Sequence, residues 1–175
     1  ALQSAIINHQ WEILRESKGN FSKLIFKKSI LTTDGQALVR VTRKILSEMG
    51  INLEGKDTFQ EDKTYVDGET KIPVEIKGHE GSITLKDLRQ SYSRIPNAKI
   101  PNKSTPKTIF IGNPYRLTRL IDRKIDFEPN MVEEAEKWDL CLLSTRVIWK
   151  YYIDFLETGK SNLKEKIITT IGLLK

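Results

Sequence analysis

The sequence predicts an α/β fold in which a central mixed β-sheet is flanked by helices, with extra helices at the N- and C-terminal ends. Two short runs, Thr108-Ile109-Phe110-Ile111-Gly112-Asn113 and Asp139-Leu140-Cys141-Leu142-Leu143-Ser144, are almost wholly apolar, the pattern of strands covered on both faces. A third run, residues 61–78, reads as strand, tight turn and strand, with Asp67-Gly68 at the turn. Segments with apolar residues at helical spacing separate these three. An order of helix, hairpin, helix, strand, helix, strand, helix implies crossovers that build a mixed sheet sandwiched by helices.

Taken in order, Leu2, Ile6, Ile7, Trp11 and Leu14 recur at helical spacing up to about Glu16, which predicts an amphipathic helix. Gly19-Asn20 ends it, and Leu24-Ile25-Phe26 is a candidate short extended piece. Thr33-Asp34-Gly35 offers the next helix start, with Leu38, Val41, Ile45 and Met49 on one face and Gly50 as its stop. Ile51-Asn52-Leu53 opens a first strand that leads through Phe59 into the hairpin. Beyond it, Thr84 and Asp87 form a capping pair for a helix with Leu85, Leu88, Tyr92 and Ile95 on its apolar face, stopped by Pro96. Residues 97–107 are polar, with Pro101 and Pro106, and read as a surface loop. Pro129-Asn130 starts a helix that Trp138 ends, and Thr145 is a candidate cap for another carrying Val147, Ile148, Tyr151, Tyr152 and Phe155 to Gly159. A last amphipathic helix is expected from Leu163 to Leu174. Trp11, Trp138 and Trp149 are expected in the core.

A chain of 175 residues holds one domain with a real core and a small helical appendage. With 29 basic and 23 acidic residues the net charge is +6, which favours polyanionic partners over acidic small molecules. A single cysteine, Cys141, excludes an internal disulfide framework, and Cys/His clusters for structural zinc are missing. The glycines form neither a P-loop nor a dinucleotide fingerprint. Lacking an apolar run of about 20 residues, and lacking a signal-peptide pattern at the N-terminus, the chain is expected to be cytoplasmic and free of membrane.

The hairpin carries the chemistry. Alternation along a strand sends Glu75 and Lys77 to one face, and Val74 and Ile76 to the other. The turn brings Asp62, at the far end of the first strand, back toward Glu75. Two carboxylates and an amine then converge, a grouping that can hold a hard divalent cation beside a reacting water or phosphate. A slip of one residue would exchange Asp62 for Glu61. Asp67 is better explained as a turn residue than as a ligand. The plain alternative is a Glu-Lys pair on a solvent-facing strand.

An acid, a hairpin and then Glu75-Ile76-Lys77 after a short apolar run resembles the active-site signature of the PD-(D/E)XK, or restriction-endonuclease-like, nuclease superfamily. Glu61 stands where the family usually has proline. The resemblance covers roughly residues 33–157 and divides the chain into a lead-in at 1–32, a nuclease-like core at 33–159 and a C-terminal helix at 160–175. It implies a Mg²⁺- or Mn²⁺-dependent nuclease, with DNA favoured over RNA. Asp62 and Glu75 would be metal ligands together with the carbonyl of Ile76, and Lys77 would position water and offset charge on the phosphate. Glu48, on the helix before the hairpin, and Gln90, on the helix after it, match further family positions; Gln90 is equally well read as a surface side chain, and for Glu48 the plain reading of a solvated helix glutamate is the stronger one.

Lys86, Arg89 and Arg94 are candidate phosphate contacts on the helix after the signature. Arg116, Arg119, Arg123 and Lys124 form a second basic cluster. Such contacts give affinity without sequence recognition. His79 receives no role. The competing reading is a catalytically idle nuclease-like module that binds nucleic acid or a protein through the same surface. The terminal segments 2–16 and 163–174 are candidates for a homodimer interface or for attachment to a larger assembly, and a restriction or defence setting is implied only by the family.

Overall fold

The computed structural model describes residues 16–55 and 63–175. The expected first helix up to residue 15, Phe59, Glu61 and Asp62 lie outside the described residues. Residues 16–28 form helix α1, so Leu24-Ile25-Phe26 is helical rather than extended. A 3₁₀ turn, Ser29–Leu31, leads into α2 (Gly35–Glu48). Gly50, at φ 78, closes α2 in the left-handed region, as its position after the last apolar residue predicts.

The described strands are β1 (Leu53–Glu54), β2 (Lys63–Asp67), β3 (Thr70–Gly78), β4 (Thr108–Asn113), β5 (Leu140–Ser144) and β6 (Gly172–Leu173). They form one sheet in the order β1-β2-β3-β4-β5-β6. The first three pair antiparallel and the rest parallel, giving the expected mixed sheet. In the hairpin Asp67 pairs with Thr70, so Gly68 and Glu69 are the central turn residues, one step beyond the expected Asp67-Gly68. Gly68 takes φ 58, the conformation that a two-residue turn asks of its first central position. Asp67 ends the strand, and its carboxylate meets Tyr65 and, at 2.9 Å, Lys164.

Helices α3 (Leu85–Gln90), α4 (Pro129–Lys137), α5 (Thr145–Thr158) and α6 (Leu163–Thr169) carry the crossovers. Alternation along the strands separates two cores. Ile72, Val74, Ile109, Ile111, Cys141 and Leu143 face Leu38, Val41 and Ile45 of α2, Ile148 and Tyr152 of α5, and Leu163 and Ile167 of α6. Phe110, Leu140 and Leu142 face Leu88 of α3 and Met131 and Ala135 of α4. Coverage on both sides is why β4 and β5 read as unbroken apolar runs.

Several local expectations shift. The helix after Thr84 tightens into a 3₁₀ segment, Ser91–Asn97, that includes Pro96. Its capping pair forms, the backbone N–H of Thr84 donating to Asp87 Oδ2 at 2.9 Å. Ser144 rather than Thr145 caps α5, its Oγ accepting from the N–H of Val147 at 3.2 Å. Residues 163–174 do not form one helix: α6 stops at Thr169 and the chain returns as β6, pairing with Cys141 and Leu142. Trp138 is 41% exposed and stacks on Tyr92 instead of entering the core, whereas Trp149 packs at its margin beside Tyr152. Among the described residues no helix is long and apolar enough to cross a membrane.

Candidate functional site

Glu75 and Lys77 project from the same face of β3, opposite to Val74 and Ile76. Nζ of Lys77 lies 3.1 Å from Oε1 of Glu75. The other carboxylate oxygen is taken by Arg94, whose Nη1 lies 2.7 Å from Oε2. The same nitrogen donates to the carbonyl of Val74 at 3.2 Å, so the guanidinium is tied to the strand as well as to the acid. It reaches there because the capped start of α3 fixes the helix and the 3₁₀ continuation turns Arg94 toward the sheet.

The parallel register supplies the floor of the site. Glu75 lies beside Phe110, and Lys77 beside Gly112. A Cβ at Gly112 would stand 2.5 Å from Cδ1 of Ile83 and 2.7 Å from Cε1 of Phe127, so only glycine lets these side chains close over the strand. Glu75 is thereby buried at 7% exposure while the Lys77 side chain keeps 33%. The pair thus runs from a dry interior to solvent. A carboxylate buried this deeply needs compensating charge, and two cations provide it.

Asp62 lies outside the described residues; Lys63, which follows it in the chain, pairs with Val74. Ile76 pairs with Ile111 in the parallel ladder. Among the described residues no group of three or more His, Cys, Asp or Glu side chains is arranged to hold a metal ion.

The structure does not bring Glu48 to Glu75. Its Oε2 receives Nζ of Lys27 and the hydroxyl of Tyr152, both at 2.7 Å, and Tyr152 belongs to the core on the opposite face of the sheet. Burial would raise the Glu48 carboxyl, but the hydrogen bonds from Lys27 and Tyr152 and the charges of Lys27 and Lys44 outweigh it and hold it below its ordinary value. Gln90 is exposed at the end of α3, the helix that covers the face carrying Glu75, and Lys86 and Arg89 are exposed on the same helix.

The second basic cluster divides. Arg119 is 81% exposed and pairs with Asp122 at 2.7 Å. Arg123, expected as a phosphate contact, is instead 6% exposed, because its guanidinium satisfies backbone carbonyls of Leu31, Arg116 and Thr118. Burial lowers its pKa. Arg116 bridges Asp34 and Glu80, each at 3.0 Å.

That bridge marks a feature the sequence reading missed. Gly78, directly after Lys77, packs so tightly against the start of α2 that a Cβ there would lie 2.9 Å from the carbonyl oxygen of Thr33. Asp34, Glu80 and Arg116 therefore gather at the end of the strand that carries Glu75 and Lys77. The glycine after the lysine was the available signal, since close backbone approach is a common reason for one. His79 sits on the same rim, with Nε2 3.3 Å from Asp87 Oδ1.

In sum of geometry, the fold and site define an α/β domain whose sheet presents a buried carboxylate and a half-exposed lysine on one strand face, beside acidic and basic side chains at the strand's end. Compared with protein-family models, curated proteins and solved structures, the chain matches none.

Proposed function

We propose that this chain is a metal-dependent phosphodiesterase acting on nucleic acid, with DNA favoured, and that residues 33–159 are a restriction-endonuclease-like core. The observation that carries the reading is the Glu75–Lys77 pair on one face of β3, 3.1 Å apart and graded from buried to solvent. A hairpin register that sets Lys63 against Val74 supports Asp62, the preceding residue, as the second acid.

Carboxylate oxygens and the carbonyl of Ile76 are hard donors and suit Mg²⁺ or Mn²⁺. Glu75 supplies one such donor, and the reading relies on Asp62 for the other. A bound divalent ion supplies Lewis acidity toward a phosphoryl oxygen and lowers the pKa of a coordinated water. Lys77 offers its ammonium group to a phosphate oxygen and offsets charge that grows there during hydrolysis. With a divalent ion held by Glu75, Arg94 would be released to contact a substrate phosphate. Lys86, Arg89, Arg116 and Arg119 give sequence-independent affinity. A cytoplasmic setting, a homodimer and attachment to a larger defence assembly belong to the same reading.

Mn²⁺ titration by calorimetry tests the site. Binding to the intact chain, lost in Glu75→Gln and in Asp62→Asn, is expected; equal binding in all three proteins would remove the metal centre from the account.

One observation favours a second reading. Arg94 and Lys77 together already neutralise Glu75, the arrangement expected of an idle module that binds nucleic acid or a protein without cutting. Metal-independent DNA binding with no cleavage under any divalent ion would favour it.

A further inference from the structure

The loop joining β4 to α4, residues 114–128, combines a rigid backbone with bare aliphatic side chains. Arg123 lies at its centre, donating from Nε to the Thr118 carbonyl at 2.9 Å and from Nη2 to the carbonyls of Arg116 and Leu31 at 3.1 and 2.7 Å. Asn113 Oδ1 accepts from Arg123 Nη1 at 3.3 Å and from the hydroxyl of Thr145 at 2.9 Å, which anchors the loop to α5. Arg146 donates to the Arg123 carbonyl at 3.2 Å. A buried arginine satisfied by carbonyls fixes a loop, because losing any one bond leaves a buried polar group unpaired.

The side chains that this clamp presents are not those of an ordinary surface loop. Leu117 is 65% exposed, Ile121 88%, Ile125 42% and Leu120 36%. Arg119 and Lys124 are exposed among them in the sequence, and Arg119 pairs with the exposed Asp122 at 2.7 Å. The loop is tied to the candidate catalytic strand. The N–H of Arg116 donates to the carbonyl of His79 at 3.0 Å, and the N–H of Tyr115 to that of Gly81 at 2.9 Å, immediately past Lys77-Gly78. Aliphatic side chains held out on a fixed backbone mark a binding surface.

We propose that this loop is a wedge for duplex nucleic acid, with Ile121 and Leu117 inserting at a base step while Lys124, and Arg119 once it exchanges Asp122 for phosphate, hold the flanking phosphates. The inference rests on the phosphodiesterase reading, because the occupant is chosen from the loop's attachment to the strand bearing Glu75 and Lys77, with Lys124 as the exposed cation beside the aliphatic side chains. Insertion of aliphatic side chains between base steps costs unstacking and is offset by the added contacts of a kinked duplex. The wedge selects double-stranded substrate and opens it beside the reacting phosphate.

The test uses the intact chain in EDTA and a short DNA duplex carrying 2-aminopurine, whose fluorescence rises when it unstacks. The native protein is expected to raise the signal several-fold. Leu117→Ser/Ile121→Ser, which alters exposed positions only, is expected to lose that rise and to bind the duplex roughly tenfold more weakly. Unchanged fluorescence and affinity in the double variant would overturn the wedge, as would light scattering that shows a native dimer made monomeric by the two substitutions. Cleavage of single-stranded DNA, compared with Lys77→Ala, keeps the two ideas apart. If that cleavage depends on Lys77 while the double variant unstacks DNA normally, the wedge falls and the hydrolytic reading stands.

Discussion

Arg94 and Glu75 form a close ion pair at the candidate site, with Nη1 2.7 Å from Oε2, and it is made on a carboxylate that is almost fully enclosed. A cation from the 3₁₀ segment thus sits on the acid that the hydrolytic reading assigns to a metal. Whatever binds Glu75 must compete with that guanidinium.

Removing the competitor has two separable effects. Arg94→Ala is expected to lower stability by about 2 kcal/mol, because among the described residues Glu75 keeps Lys77 alone as compensation. The same variant is expected to bind Mn²⁺ several-fold more tightly than the native chain. Thermal denaturation and calorimetry check the two effects, and weaker Mn²⁺ binding would mean that Arg94 organises the site.

Lys77→Ala leaves the fold intact, since a third of the side chain is exposed, yet it is expected to lower the cleavage rate by about 10²- to 10⁴-fold. Single-turnover cleavage of a DNA duplex measures the loss. A rate within a factor of a few of native would leave Lys77 as a simple partner of Glu75.

Glu48 is expected to act on stability rather than on catalysis. Its folded pKa lies below the ordinary 4.5, so its contribution is present above that pH and is lost as pH falls through the folded value. Lys27 is the mirror case. Burial would lower it, but hydrogen bonds with Glu48 and Tyr152 raise it above 10.5, so its contribution holds below that pH and fades as pH rises through the folded value. Glu48→Gln should therefore cost about 1–2 kcal/mol near neutrality. The deficit should narrow below pH 4.5, and cleavage measured near neutrality should be retained. Denaturant unfolding across pH checks the profile, and a loss of cleavage without a loss of stability would return Glu48 to the site.

Gly112→Ala tests the floor beneath Lys77. Its Cβ would meet Ile83 and Phe127 well inside contact distance, and the overpacking is expected to cost about 1–3 kcal/mol. A melting temperature equal to native would show that the two side chains give way freely.

How much of this was legible in the sequence follows from where the causes lie. Strand β4 falls at Thr108–Asn113 as read, because burial on both faces writes itself into every residue of the run. The Glu75–Lys77 geometry is likewise local, a consequence of strand alternation. The return of Gly172–Leu173 as a strand was not legible, since its partners Cys141 and Leu142 are 31 residues away and the segment continues a helical pattern. Arg94 could be read only as a basic helix residue, because its attachment to Glu75 depends on α3 tightening into a 3₁₀ turn. Arg123 misled for the same reason: a basic residue among basic neighbours looks exposed until the carbonyls that it gathers are in place.

The central claim is tested most directly by incubating the intact chain with supercoiled plasmid in Mg²⁺, in Mn²⁺ and in EDTA, beside Asp62→Ala and Lys77→Ala. The account predicts nicked or linear DNA with either ion, none in EDTA and none from either folded variant. Cleavage that survives in both variants, or that persists in EDTA, would contradict it.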